Sequence, residues 1–86
     1  MSRPQRLAAL RAKWALLDTS RGGGVHKQQL RAAGSVAELD AVICEFLDRY
    51  DWGARYPAIT RANAEEVMAL YEAIRADLVE LDGGVQ

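Results

Sequence analysis

The side chains best suited to nucleophilic or metal chemistry are the single histidine, His26, and the single cysteine, Cys44. A cysteine beside a histidine could act as a nucleophile activated by a base. By helical phase, however, Cys44 falls among Ala37 and Ala41, which is typical of a small packing residue. The sequence has no second histidine and no CxxC spacing, so nothing in it favours a metal site. We therefore expect no catalytic residues, no metal and no cofactor.

Carboxylates in the last third of the chain form a second group of chemically capable side chains. Several fall near the expected C-terminus of a helix, where the partial negative charge makes each acid unfavourable by roughly 0.3–1 kcal/mol. We interpret them as an acidic face offered to a basic partner; the alternative is an ordinary solvated surface. The acidic face consists of Glu65, Glu66, Glu72, Asp77 and Glu80.

The stretch RYDWGARYPAI, residues 49–59, concentrates aromatic and arginine side chains around one loop. Trp, Tyr and Arg are the residue types enriched in interface hot spots, so this aromatic–arginine loop predicts a partner-binding site. The alternative is that its aromatic rings plug the open end of a helical bundle. The candidate binding residues are Arg49, Trp52, Arg55 and Tyr56.

The formal net charge of −1 hides a division between two parts of the chain. Residues 1–34 carry seven basic residues against Asp18 alone, a net charge of +6, whereas residues 35–86 carry four arginines against eleven acids, a net charge of −7. This segregation indicates a charged partner, self-association such as a homodimer, or attraction between the two parts. The basic residues that could contact nucleic-acid phosphates are Arg3, Arg6, Arg11, Lys13, Lys27 and Arg31.

Hydrophobic periodicity predicts the helices that must position these groups. The chain length suits a single domain, residues 1–86. The prediction is an all-α fold, a compact bundle of three main helices plus one short helix, with a core that joins the first, third and fourth helices. The residues predicted to be mostly buried are Trp14, Leu39, Val42, Phe46, Tyr71, Ile74 and Leu78. The predicted helices span about 4–18, 26–33, 36–50 and 61–81. The last helix has two candidate starts, at Arg61 with Thr60 as N-cap or at Ala64 with Asn63 as N-cap.

The segment HKQQLRAAGSVAELDAVI, residues 26–43, has the outline of a helix-turn-helix. Ser35 and Glu38 match a capping box, and Gly34 is expected to close the preceding helix with a positive φ. A DNA-reading helix usually presents Arg, Lys, Asn or Gln at its start. Here the exposed residues are expected to be Glu38 and Asp40, so the outline indicates a structural corner.

The sequence has no apolar run near the ~20 residues of a membrane span and no N-terminal segment of signal-peptide character, so a cytoplasmic protein is expected. Abundant arginine and alanine are typical of a high-GC bacterial or phage genome. We expect a non-enzymatic interaction protein, a regulator or inhibitor that binds a protein partner, from a phage or mobile element. The alternative is a helix-turn-helix-like regulator that binds nucleic acid through its basic N-terminal third.

Overall fold

The computed structural model describes the backbone of residues 2–17, 24–49 and 58–83, and side chains within 2–17, 25–48 and 64–83. In these ranges the chain forms four helices and no strand, which confirms the all-α prediction. The helices are α1 (Arg3–Ala15), α2 (Gly24–Ala32), α3 (Val36–Arg49) and α4 (Ala58–Leu81).

Helix α1 begins with a capping box. The Ser2 hydroxyl accepts a hydrogen bond from the backbone N–H of Gln5, and the Gln5 side chain accepts one from the backbone N–H of Ser2. These bonds satisfy two donors at the helix start. Pro4 lies in the first turn, where a missing N–H is tolerated. The helix ends at Ala15, three residues earlier than the periodicity predicts, with Leu16 as C-cap.

Helices α2 and α3 meet at a corner that Ser35 and Glu38 fix. The Ser35 hydroxyl accepts from the backbone N–H of Glu38, so the predicted N-cap is confirmed. The Glu38 carboxylate reaches one residue further than expected and accepts from the backbone N–H of Gly34 at 3.1 Å. The prediction of a positive φ at Gly34 is wrong, because among the described residues only Gly83 has one, at 110°. Gly83 lies just beyond α4, where a left-handed residue typically follows a helix.

Helix α4 is longer than predicted. It begins at Ala58, directly after Pro57 in the sequence, and not at Arg61 or Ala64. The two capping signals in the sequence, at Thr60 and Asn63, therefore lie inside the helix. A start next to proline agrees with the tolerance of this residue at helix N-termini.

The core includes all four helices. Helix α2 packs against each of the other three, whereas α1 packs against α2 and α4 and, within the described ranges, is not adjacent to α3. This corrects the predicted core of α1, α3 and α4, because Leu30 of α2 and Ala33, which directly follows α2, are also buried in it. Most of the predicted core is confirmed, and Val42 and Tyr71 are partly buried against it. The predicted core residues that are buried are Trp14, Leu39, Phe46, Ile74 and Leu78.

A membrane crossing needs a helix that is both long and strongly apolar, and no helix in the described ranges meets the two conditions.

Candidate protein-binding surfaces

The basic residues of α1 pair with acids near the end of α4. Arg3 Nε lies 2.8 Å from Asp82 Oδ1, and Lys13 Nζ lies 2.9 Å from Asp77 Oδ2. The hydrogen bond from Arg3 lowers the pKa of Asp82, and the same pair raises the pKa of Arg3. Arg6 is exposed and its charge adds to the lowering of the Asp82 pKa. The positive and negative parts of the chain therefore attract each other within one molecule.

Asp77 also accepts a hydrogen bond from the buried indole of Trp14, with Nε1 2.8 Å from Oδ2. Burial by itself raises the pKa of Asp77, but the hydrogen bonds from Trp14 and Lys13 outweigh it, so the pKa is lowered. Tertiary contact with α1 thus accounts for an acid that is unfavourable at a helix C-terminus when α4 is considered alone.

Lys27 is the buried basic residue of α2. Its side chain is 1% exposed, and its Nζ lies 3.0 Å from Glu66 Oε1 of α4. A buried ammonium needs a charged or hydrogen-bonding partner because it has lost its water. Lys27 therefore contributes to holding α2 against α4 and does not add to a solvent-facing basic surface.

Two further arginines bind backbone carbonyls at helix ends. Arg11 Nη2 donates to Ala32 O at 2.7 Å, at the end of α2. Arg31 Nε donates to Trp14 O at 3.1 Å, and its Nη2 reaches Leu17 O at 3.5 Å, at the end of α1. Backbone carbonyls at a helix C-terminus carry partial negative charge that attracts cations, so both contacts are favourable. Of the six predicted phosphate-binding residues, five therefore have contacts within the molecule.

The predicted acidic face divides into two groups. Glu66 and Asp77 turn toward Lys27 and Lys13, as described above, and are partly buried. The other three are exposed and lie on one side of α4, within about 80° of one another, because steps of seven and eight residues turn the helix by about −20° and +80°. The acidic stripe consists of Glu65, Glu72 and Glu80.

Helices α3 and α4 are also joined by a polar cluster. The Tyr71 hydroxyl donates to Asp40 Oδ1 at 2.6 Å, and Arg75 Nε lies 3.9 Å from the same oxygen. The hydrogen bond to Asp40 is the main reason that the pKa of Tyr71 is raised. Asp40 was expected to be a freely exposed acid of α3, but it is half-buried and binds α4.

An open groove of about 310 Å³ lies between α2 and α3, and the sequence did not reveal it. Its apolar lining consists of small residues, Ala32 at the end of α2, Ala33 directly after it, and Ala41 and Val42 of α3. Alanine side chains are too short to fill the space between two helices, so the groove remains open. Its rim is formed by the polar residues Gln29, Glu38 and Glu45. Both charged lining residues are acidic.

The single histidine lies on the opposite side of α3 from the single cysteine. The His26 ring packs edge-on against the Phe46 ring, with centroids 5.0 Å apart. Phe46 is buried and Cys44 is exposed. Residues two apart on a helix point about 200° apart, so the helix separates Cys44 from the contact between Phe46 and His26. This arrangement does not bring together the nucleophile and base considered above.

No group of three or more His, Cys, Asp or Glu side chains in the described part of the chain could hold a metal ion.

The predicted binding residues of the aromatic–arginine loop have side chains that lie outside the described residues. They are Arg49, Trp52, Arg55 and Tyr56. The binding role of that loop stays a prediction.

Comparisons with protein-family models, with curated proteins and with solved structures find no match to this chain.

Proposed function

We propose that this chain is a non-enzymatic interaction protein, a regulator or inhibitor that binds a basic surface of another protein. The observation that carries the proposal is the pairing of its cations within the molecule: Arg3, Lys13 and Lys27 pair with carboxylates in α4 or directly after it. Charge that is paired inside the molecule contributes little to attraction at a distance. The exposed charge that remains on α3 and α4 is mostly acidic, so it favours a basic partner.

The acidic stripe on α4 supports this proposal. Glu65, Glu72 and Glu80 project into solvent along a helix of 24 residues. A row of carboxylates on a rigid helix raises the rate of encounter with a positively charged protein surface. Such a row can also occupy a site that otherwise receives nucleic-acid phosphates, which is one route to inhibition.

The aromatic–arginine loop supplies the second predicted contact. We expect Trp52 or Tyr56 at the centre of the interface, with Arg49 or Arg55 paired to a carboxylate or stacked on an aromatic ring. Trp52→Ala should weaken partner binding by at least ~2 kcal/mol while circular dichroism shows unchanged helical content. If Trp52→Ala unfolds the domain, the ring is part of the core and the loop prediction fails.

The proposal is tested by capturing partners from an extract of the native host after nuclease treatment. We expect a protein to be retained, and to be lost when Glu65, Glu72 and Glu80 are all changed to lysine. Arg6→Glu serves as the control, since it reverses an exposed charge outside the acidic stripe. Retention that depends on intact nucleic acid would contradict the proposal.

The nucleic-acid alternative makes a separate prediction. Binding to random-sequence duplex should then be measurable by fluorescence anisotropy at low salt and should weaken steeply as salt is added, because phosphate contacts release counterions. The internal pairing of the basic residues favours the opposite result, a lack of duplex binding even at low salt. Duplex binding that Arg6→Glu abolishes would support the alternative function.

A further inference from the structure

We infer that a second groove, between α1 and α4, is the contact surface of a two-fold symmetric dimer of this chain. The inference goes beyond the proposed function and does not depend on it. This α1–α4 groove is open, has a volume of about 410 Å³ and has an apolar lining of Ala9, Leu10 and Leu81. Its charged lining residues are Arg6, Lys13, Asp77 and Glu80.

Charges of opposite sign lie on opposite sides of the α1–α4 groove, the two cations on α1 and the two acids on α4. Lys13 and Asp77 form an ion pair, with Nζ 2.9 Å from Oδ2. Arg6 and Glu80 are exposed, and within the described part of the chain neither has an ion pair or a side-chain hydrogen bond. The four charges sum to zero, so the groove favours neither a strongly basic nor a strongly acidic partner.

A second copy of the chain supplies the partners that Arg6 and Glu80 do not have within one molecule. The charge of Arg6 acts on Asp82, but that carboxylate already binds Arg3 at 2.8 Å. In a two-fold symmetric contact, each pairing occurs twice. If Arg6 pairs with Glu80 of the second copy, Glu80 pairs with Arg6 of that copy, so a groove with one cation and one acid complements itself.

The outward face of α1, next to the groove, is uncharged. Within the described ranges α1 packs against α2 and α4 alone, so its remaining face is open to solvent. A solvent-facing helix surface usually carries charged side chains, whereas this one spans about 100° without any. Its short side chains allow a second helix to approach closely, and Leu16 at its end is 87% exposed. The exposed residues of this face are Gln5, Ala8, Ala9, Ala12 and Leu16.

The size of this surface sets the expected strength of the dimer. Arg6 and Ala9 both line the groove, so antiparallel packing of α1 on the α1 of a second copy, about an axis near Ala9, directs each Arg6 toward α4 of the other copy. Helix α1 has 13 residues and is therefore ~20 Å long. A contact of this length and two helices wide is at the low end for specific interfaces, so we expect a dissociation constant of about 10–100 μM.

The test is analytical ultracentrifugation of the full chain over concentrations from about 10 μM to about 1 mM, which bracket the expected dissociation constant. We expect a monomer–dimer equilibrium that weakens when salt is added, because salt screens exposed ion pairs. Arg6→Glu and Glu80→Arg should each weaken the dimer about tenfold, since each change places like charges together at two symmetric positions. Circular dichroism of each variant checks that the helices are intact.

Mixing the two charge variants makes the decisive measurement. In an equimolar mixture of Arg6→Glu with Glu80→Arg, one copy contributes two acids and the other two cations, so association should return to within about threefold of wild type. A defect in the folding of either variant would not be repaired by mixing. The control mixture is Arg6→Glu with Glu65→Arg, which has the same net charges but moves the change about 22 Å along α4, and it should not recover.

A pair of tryptophan variants distinguishes the two grooves. Ala9→Trp places a large ring in the α1–α4 groove and should weaken the dimer roughly tenfold or more. Ala41→Trp makes the same change at an exposed alanine of the α2–α3 groove and should leave association unchanged.

Several outcomes would overturn the dimer. They are a chain that stays monomeric at about 1 mM, association that neither charge reversal weakens, and a mixture of Arg6→Glu with Glu80→Arg that associates no better than the control mixture. Association that Ala41→Trp abolishes and Ala9→Trp leaves intact would place the contact at the α2–α3 groove and would also overturn the inference. The capture of a partner protein is a separate result, because a monomeric chain can still bind a basic surface through its acidic stripe.

Discussion

Asp77 receives two donors from α1, the indole N–H of Trp14 at 2.8 Å and the Lys13 ammonium at 2.9 Å. A carboxylate that accepts hydrogen bonds in the folded state is stabilised in its charged form, and this accounts for its lowered pKa against the opposing effect of burial. The carboxylate also satisfies the N–H of a buried tryptophan, which would be costly to leave without an acceptor.

We therefore expect Asp77→Ala to reduce the free energy of unfolding by roughly 1–3 kcal/mol at neutral pH, and Asp77→Asn to reduce it less. Because the folded-state pKa is lowered, this stability is present above the unfolded-state value of about 3.9 and is lost as the pH falls through the folded value. Urea unfolding from pH 7 to pH 2 should show wild type and Asp77→Asn converging below about pH 4. Asp48→Asn, at an exposed acid of α3, is the control and should change little. A constant gap at all pH values would contradict this assignment.

Gly34 shows how a residue can be predicted at the right place for the wrong reason. It lies in the corner between α2 and α3, but its φ is not positive, so a side chain is not excluded by backbone strain. A Cβ built there would meet Glu38 Oε2 at 3.2 Å and Leu7 Cδ2 at 3.7 Å. Glycine is thus favoured by the carboxylate that caps the corner.

Gly34→Ala should change the free energy of unfolding by less than about 1 kcal/mol. The loss of conformational freedom in the unfolded chain gives roughly 0.4–1 kcal/mol, which offsets a shift of the Glu38 carboxylate. Thermal unfolding of the single variant Gly34→Ala and of the double variant Gly34→Ala/Glu38→Ala separates the entropy effect from the shift of the Glu38 carboxylate. A loss well above 1 kcal/mol that persists without Glu38 would show that backbone strain governs this position after all.

At the scale of elements, α2 has a larger role than its nine residues indicate, because it packs against every other helix. Its buried ion pair, Lys27 with Glu66 of α4, fixes one of these contacts. Burying an ammonium costs solvation free energy that the pair recovers only in part. The contribution of such a pair to the free energy of unfolding is measured by changing each partner in turn.

Lys27→Met keeps the length and apolar stem of the side chain, and it leaves Glu66 with access to water, since that side chain is 31% exposed. We expect a change of less than ~1 kcal/mol or a gain in stability. Glu66→Met should cost about 2 kcal/mol or more, because it removes a carboxylate partner of a buried cation. Chemical unfolding of both variants makes the comparison, and equal losses would contradict this asymmetry.

The predictability of the elements follows from local signals. The limits of α3 were predicted to within one residue, since Ser35 and Glu38 mark its start and its apolar face recurs regularly. The start of α4 was missed because Thr60 and Asn63 offer capping signals that the helix does not use. The capping box of Ser2 and Gln5 follows the same spacing rule and could have been identified from the sequence.

At the scale of the whole molecule, the attraction between the basic and the acidic parts of the chain joins the start of α1 to the end of α4. Arg3 and Asp82 are 79 residues apart in sequence, yet they pair between the start of α1 and the end of α4. The sequence left open whether its two charged parts attract each other or serve a partner, because spacing along a chain does not specify which distant residues meet. The groove was not predicted for the same reason, since it exists only when alanines of two helices face each other.

The core that these contacts surround is a single unit, so a large cavity in it should unfold the whole molecule. Phe46 is 4% exposed and packs against His26 of α2. Phe46→Ala should cost roughly 3–5 kcal/mol, against a total stability of about 5–10 kcal/mol for a domain of this size. The neighbouring Leu47 is 38% exposed, so Leu47→Ala should cost less than about 1 kcal/mol. Calorimetry should show the Phe46→Ala variant unfolded or melting far below wild type. The Leu47→Ala variant should melt close to wild type. Similar melting of both variants would mean that α3 turns a different face to the core.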